Sequence, residues 1–495
     1  MARQSISRIF TWLAERDPDR VVAHFEGESL TASQLDRASN RLARAYLDRG
    51  VTPDSLVTVT LPNSLEVLVV CAAIWKCGAT PQPVSTGLSA AERAEIDDLA
   101  DPALLVGVPS SSAFPWVPAG WSGGVEVGVF SDAALPDAWA SSWKAPTSSG
   151  STGRPKVVLA AAPALLDPEV PVAPYLPREQ VQLVAGPLTH SAPFTYAFRG
   201  LMTGHTLVIL PRFDERAVLA AIERHRVTWA LLVPTMLHRL LRLPSAVREA
   251  ADLSSLSTVL HLGAPCPPDV KREVMAWFGP ERVVEVYAGS ESNGIVMIRG
   301  DEWLEHPGSV GRPSGTTSVS IRRPDGGEAA SGEVGAIWLH RSGGATYRYL
   351  GGGSARTHDG WDTLGDLGFL DDDGYLFVVD RADDVILRGG VNVHPSEIEQ
   401  ALEEHPAVRS AVAFGVPDAD LGQRIEVVVD VAGAGTQAYG LLAWSRGRLD
   451  AARRVSCVYV VDDPVRNDAG KTSRKAFAAR FASTPEERAG HRAGP

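Results

Sequence analysis

The sequence predicts an α/β protein with largely parallel sheets, divided into a large N-terminal and a small C-terminal domain. Three observations lead there. At 495 residues the chain exceeds what one hydrophobic core organises. Amphipathic helical segments alternate with short apolar runs, the pattern of helices packed on parallel strands. Beyond about residue 350 the texture shifts to glycines, acidic turns and a compact closing segment, with a boundary at Arg381–Asp384.

In chain order, Ile6, Ile9, Phe10 and Leu13 fall at helical spacing with charges between them, which predicts a helix and not a signal peptide. Thr31 to Gln34 is a capping box opening a helix with Leu35, Ala38, Leu42 and Tyr46 on one face, and Ser89 to Glu92 is a second box. The longest apolar run, Val67 to Trp75, is roughly half of a bilayer span, so no membrane span is expected. Leu207–Leu210 reads as a strand, Asp214–His225 as a helix, and Val227–Val233 as a strand stopped by Pro234. Val259–Leu262 reads as a strand feeding the turn Gly263-Ala264-Pro265. Past residue 350 come the turn Asp371–Gly374, a strand at Leu376–Val379, a helix from Ser396, and strands near Ser410–Phe414 and Ile425–Val429. The polar tail after Ser483 is expected to be disordered.

Composition narrows the function. A net charge of −12 argues against a nucleic-acid partner, which needs a basic stripe to displace counterions. Cys71, Cys77, Cys266 and Cys457 show neither ligand spacing nor a disulfide framework, and the histidines are scattered. A reduced, cytoplasmic protein without structural metal is expected. The lysines are Lys76, Lys144, Lys156, Lys271, Lys471 and Lys475 alone, so a lysine inside a motif is not compositional filler.

The sharpest motif is Thr147-Ser148-Ser149-Gly150-Ser151-Thr152-Gly153-Arg154-Pro155-Lys156, running straight into Val157, Val158 and Leu159. Small residues let backbone N–H groups approach a polyphosphate, hydroxyls add neutral donors, and the lysine supplies charge. Composition alone also fits a flexible linker; the scarce lysine and the immediate apolar strand favour the phosphate loop. It is not a Walker A loop, because Val157 follows the lysine.

This loop resembles that of the adenylate-forming superfamily, which includes acyl-CoA synthetases, luciferases and the adenylation domains of peptide synthetases. Val157 stands where that family usually has Gly. Further motifs follow in the family's order. Pro187-Leu188-Thr189-His190 resembles PLxH, and Gly263-Ala264-Pro265 resembles the GGAP turn. Tyr287-Ala288-Gly289-Ser290-Glu291 resembles YGxTE, and Thr363 to Gly368, with Asp366, resembles TGDLG. Arg381 to Glu399 resembles RxDDxIxxGGxNIxPxEIE, and Arg466 to Lys471 resembles RNPxGK.

The resemblance spans nearly the whole chain. It implies an N-terminal domain over 1–380 of stacked sheets with a small barrel-like part, a hinge at 381–384, and a mobile α+β domain over 385–495. It implies that His190 and Phe194, with Gly263, Gly289 and Gly294, line the acid pocket. It implies that the 148–156 loop, Gly263, Ala264, Pro265, Tyr287, Ala288, Gly289 and Ser290 hold ATP and AMP, with Glu291 on Mg²⁺ and Asp366 and Arg381 on ribose. Asp383 is then the hinge, Gly389-Gly390 the thiol tunnel, and Lys471 the adenylation lysine.

The implied reaction joins a carboxylic acid to ATP as acyl-AMP with loss of pyrophosphate, then to coenzyme A (CoA). Stretches 78–85, 190–194 and 303–313 are similar to those of ligases for bile acids and other polycyclic or aryl acids. Alternatives are a carrier-protein thiol or an amine as acceptor, and ATP-dependent activation of nitrite to diazotise an aryl amine. A non-enzymatic scaffold is disfavoured, since Lys471, Glu291 and Asp366 are all present.

Overall fold

The computed structural model describes residues 3–108, 113–149, 155–351, 353–354, 356–431, 436–466, 470 and 472–481. By compactness the chain divides into Met1–Ser318 with Leu339–Asp362, and Val319–Trp338 with Thr363–Pro495.

In the first unit, a nine-stranded sheet runs in the order Arg312–Pro313, Val296–Arg299, Val283–Tyr287, Thr258–Leu262, Trp229–Leu231, Val181–Val184, Thr206–Ile209, Val21–Phe25, Glu28–Thr31. Its central pairings are parallel and its margins antiparallel. A second, four-stranded sheet of Thr80–Pro83, Leu56–Thr60, Leu104–Gly107 and Trp116–Val117 is wholly parallel. Its three longer strands are buried on both faces, so even Thr58, Thr60 and Gln82 lie inside.

The Leu65–Lys76 helix explains the long apolar run: Val67 through Lys76 are all buried, so it is a core helix hydrophobic all round. It packs with the Ile6–Arg16 and Ala32–Asp48 helices in one large cluster that includes Phe10, Trp75, Phe194 and Phe198. Both capping boxes form as the sequence predicts, at Thr31/Gln34 and Ser89/Glu92. The strand expected over Val227–Val233 pairs only at Trp229–Leu231, because Val233 is already the N-cap of a helix with Pro234 at its first position. No described helix is long and apolar enough to cross a membrane.

In the second unit, Gly422–Val431 is the spine of a five-stranded sheet, antiparallel to Val408–Asp418 and parallel to Val455–Val461. The hairpin Ile386–Arg388 and Val391–Val393 extends it. The Pro395–Glu403 and Ala438–Arg446 helices contribute to its separate core around Ile398, Leu402, Val427 and Leu441. The large first unit is thus α/β, and the smaller second unit carries the C-terminal part of the chain. The tail after Ser483 lies outside the described residues.

Candidate active site

Parallel strands end on the same edge of a sheet, and loops leaving their carboxyl ends form the natural crevice for a ligand. Val181–Val184, Thr258–Leu262 and Val283–Tyr287 are such strands in the first unit, with Leu262 paired to Val286 across two neighbours. The segments leaving them are Pro187–His190, Gly263–Pro265 and Ala288–Glu291, three motifs far apart in sequence.

Each segment is held by local chemistry. His190 is the N-cap of the Ser191–Met202 helix, and its N–H donates to Pro187 O at 3.0 Å. The buried Asn63 fixes the same loop: Nδ2 donates to Gly186 O and Leu210 O, and Oδ1 accepts from Leu188 N–H at 2.8 Å. Gly263 has φ +91°, with open space where a side chain would be, so its glycine serves the backbone turn. Gly294 differs, since a Cβ there would come within 3.0 Å of Thr317 and 3.2 Å of Leu339. Phe194 is 1 % exposed and turns into the aromatic core against Phe198 at 4.6 Å.

Glu291 is brought near Lys156 through strand register. Thr147–Ser149 pairs with Pro155–Ala160, placing Ser148 opposite Lys156; Pro155–Ala160 pairs in turn with Tyr347–Leu350, placing Tyr349 opposite Val158. Lys156 Nζ lies 4.7 Å from the Tyr349 ring centroid, and the Tyr349 hydroxyl donates to Glu291 Oε1 at 2.6 Å. Burial and then the Glu291 carboxylate push the Tyr349 phenol well above its ordinary range, so it stays a donor.

A phosphate ligand fits here. The Thr147 hydroxyl is buried at the head of the loop without a partner among the described residues, a donor left over for a ligand. A hard cation fits as well, since Glu291 offers carboxylate oxygen. Among the described residues no cluster of His, Cys, Asp and Glu forms a metal cage, so nucleotide phosphates and water would complete its shell. Gly150, Ser151, Thr152 and Gly153 lie outside the described residues, as does Lys471; the backbones of Ser148 and Ser149 are in the first strand of the hairpin.

In the second unit, antiparallel pairing sets Asp366 opposite Arg381, with Arg381 Nε 3.4 Å from Asp366 Oδ1. A register shift between Leu367 and Gly368 leaves Val379 unpaired on the partner strand and sets that alignment. Asp383 is exposed in the short turn Ala382–Asp384. Gly389 and Gly390, at φ +58° and +81°, form the two-residue reversal between Ile386–Arg388 and Val391–Val393, a turn needing positive φ at both places.

Sequence reading missed a set of clamps. Glu399, buried on the Pro395–Glu403 helix, accepts from Arg466 Nη2 at 2.8 Å and Arg474 Nη2 at 2.9 Å, while Arg474 Nη1 donates to Asp384 Oδ2 at 2.7 Å. Asn63, Tyr349 and Lys144 were missed too; each acts through a contact that only the tertiary structure creates.

The family model described as AMP-binding enzyme matches residues 10–142 and 144–350, and that of the AMP-binding enzyme C-terminal domain matches 397–471. The chain belongs to the AMP-binding enzyme family. A feruloyl-CoA synthase of Amycolatopsis sp is 31% identical over 491 residues, covering 94% of this chain and 97% of that protein. The o-succinylbenzoate CoA synthetase of Bacillus subtilis, solved with its acyl-adenylate, superposes with TM-score 0.80 at 24% identity over 96% of this chain and 98% of its own. An amide bond synthetase from Marinactinospora thermotolerans superposes at TM-score 0.79 and 26% identity over 96% of this chain and 100% of its own. This AMP-binding enzyme thus has relatives along nearly its full length, and its two family matches leave 351–396, with Asp366, Arg381, Asp383 and the Gly389-Gly390 turn, between them.

Proposed function

We propose that this AMP-binding enzyme is an acid–CoA ligase that activates an aromatic or other bulky carboxylic acid as its acyl-AMP and passes the acyl group to CoA. The observation that carries it is the full-length likeness to a feruloyl-CoA synthase, joined to a phosphate loop whose lysine and Glu291 meet at Tyr349.

The carboxylate attacks the α-phosphate of ATP and pyrophosphate leaves. Two anions must meet, so the protein has to place positive charge and N–H donors where negative charge accumulates. Lys471 is assigned to the attacking carboxylate and α-phosphate, and the 148–156 loop with Lys156 to the leaving pyrophosphate. Mg²⁺ on Glu291, when bound, would neutralise phosphate charge. His190, Gly263 and Gly289 border the acid, with Phe194 and Gly294 behind them. Tyr287, Ala288 and Ser290, with Ala264 and Pro265, surround the nucleotide base and phosphates. Asp366 accepts from the ribose hydroxyls, its other partner being Arg381.

For the second step the lysine must withdraw and a thiol must enter. Rotation of 385–495 about a hinge at 381–384 serves both, with Gly389-Gly390 bordering the thiol. Proline at Asp383 fixes one hinge dihedral. Asp383→Pro is therefore expected to reduce thioester formation more than adenylation; measuring the half-reactions separately checks this, and equal losses would remove the hinge.

The test of the function is a pyrophosphate-release screen over aryl, polycyclic, fatty and amino acids, with and without CoA, followed by product mass analysis. An acyl-CoA product supports the ligase; pyrophosphate release without one favours a second acceptor. An amine acceptor is the second reading, supported by the likeness to an amide bond synthetase.

A further inference from the structure

Two cations in the first unit stand beside the active-site segments without a carboxylate partner. Lys144, on the coil just before the Thr147–Ser149 strand, is 4 % exposed. Its ammonium donates to Thr195 Oγ1 at 2.7 Å and Ser191 Oγ at 3.3 Å, both at the start of the Ser191–Met202 helix. Arg199, on the same helix, holds its guanidinium 4.0 Å from the Trp143 ring centroid, and Lys144 Nζ stands 5.2 Å from the same centroid. Neither cation makes an ion pair among the described residues.

This arrangement is costly as it stands. A desolvated ammonium without a counter-ion loses most of its hydration, and an apolar side chain of the same length would fill the space more cheaply. The first turn of a helix is its positive end, so the helix adds to the cost. Burial first and then Arg199 bring the ammonium down to about 7, with Glu291 acting in the other direction. Two hydroxyls take two of the three N–H donors and the third is left over. All of this reverses when an anion arrives: the cations, the helix end and the spare donor then act together.

We infer that Lys144, with Ser191 and Thr195, forms an oxyanion site that takes a charged oxygen of a substrate, either the carboxylate of the acid or a phosphate of the nucleotide. Its place supports both sources: Ser191 adjoins His190 on the acid side, and Lys144 precedes the phosphate loop. The assignment rests on the ligase reading.

The experiment is steady-state pyrophosphate release by Lys144→Met and Lys144→Gln, with KM measured separately for acid and ATP and melting followed in parallel. The expected result is a melting temperature unchanged or raised, because a buried unpaired charge has been removed, with one KM raised about tenfold or more. A rise confined to the acid identifies the carboxylate; a rise confined to ATP identifies phosphate. Folded variants with both KM values unchanged overturn the site, as does failure of both variants to fold, which makes the ammonium structural. Absence of pyrophosphate release from the unsubstituted enzyme with every acid is a different failure, and it takes down the ligase reading itself.

Discussion

Lys471→Ala is expected to lower acyl-AMP formation by about 10²–10³-fold, the loss typical of removing one donor aimed at charge developing in a transition state. Thioester formation from pre-formed acyl-AMP is expected to change little, since the lysine is assigned to the first step alone. Single-turnover assays of the two half-reactions check this, and unchanged acyl-AMP formation removes Lys471 from the mechanism. Lys471 lies outside the described residues, but its neighbours show how its loop is tied. Gly470 has φ +72°, and Thr472 Oγ1 donates to Val465 O at 3.0 Å, closing the base of the loop.

The second large effect is expected from Glu399→Ala. The Glu399 carboxylate is 4 % exposed and carries two guanidiniums, with Ala413 N–H donating to Oε1 at 2.9 Å. Removing it takes a shared carboxylate from Arg466 and Arg474, which keep Ser410 and Asp384 as partners, a loss of about 1–3 kcal/mol in the stability of the second unit. Urea unfolding followed in that unit is the measurement, and a midpoint within error of the parent would show that the arginines find other partners. The two arginines stand on either side of the Lys471 loop, and Arg474 also reaches Asp384 beside the proposed hinge. A milder variant, Glu399→Gln, is expected to slow adenylation more than thioester formation, because it loosens the anchor that the loop's two ends share.

Much of the fold and of the candidate site was legible because its cues are local. A capping box is a relation between residues three apart, and Thr31 and Ser89 announce their helices without help from the rest of the chain. Glycines at Gly263, Gly389 and Gly390 mark backbone conformations that other residues resist, so those turns stand out in the sequence. The parts that stayed hidden depend on strand register or on chain crossings. Tyr349 alternates with Tyr347 in an ordinary strand, and only pairing to Pro155–Ala160 brings it beneath Lys156 and onto Glu291. Lys144 reads as a stray lysine until the Ser191–Met202 helix is laid against it. Glu399 reads as one of three acidic residues on an amphipathic helix, and its arginines arrive from 67 and 75 positions away. Phe194, expected from the family resemblance beside the acid, packs as a core aromatic, since an apolar ring on the inner face of a buried helix follows the core first.

The pairing of Asp366 with Arg381 carries a consequence for how this chain can change. Strand partners are assigned by counting from the turn, here Asp371 to Tyr375, closed by Asp371 N–H to Tyr375 O at 3.0 Å. Loss or gain of one residue in that turn slips the count by one, and Asp366 then faces Asp380 or Ala382 in place of Arg381. A second carboxylate in the one case, or a bare methyl in the other, would stand where the guanidinium stood. The enzyme can therefore lose this pair with both of its residues intact, and the length of an exposed acidic turn is as much a constraint on the site as any side chain within it.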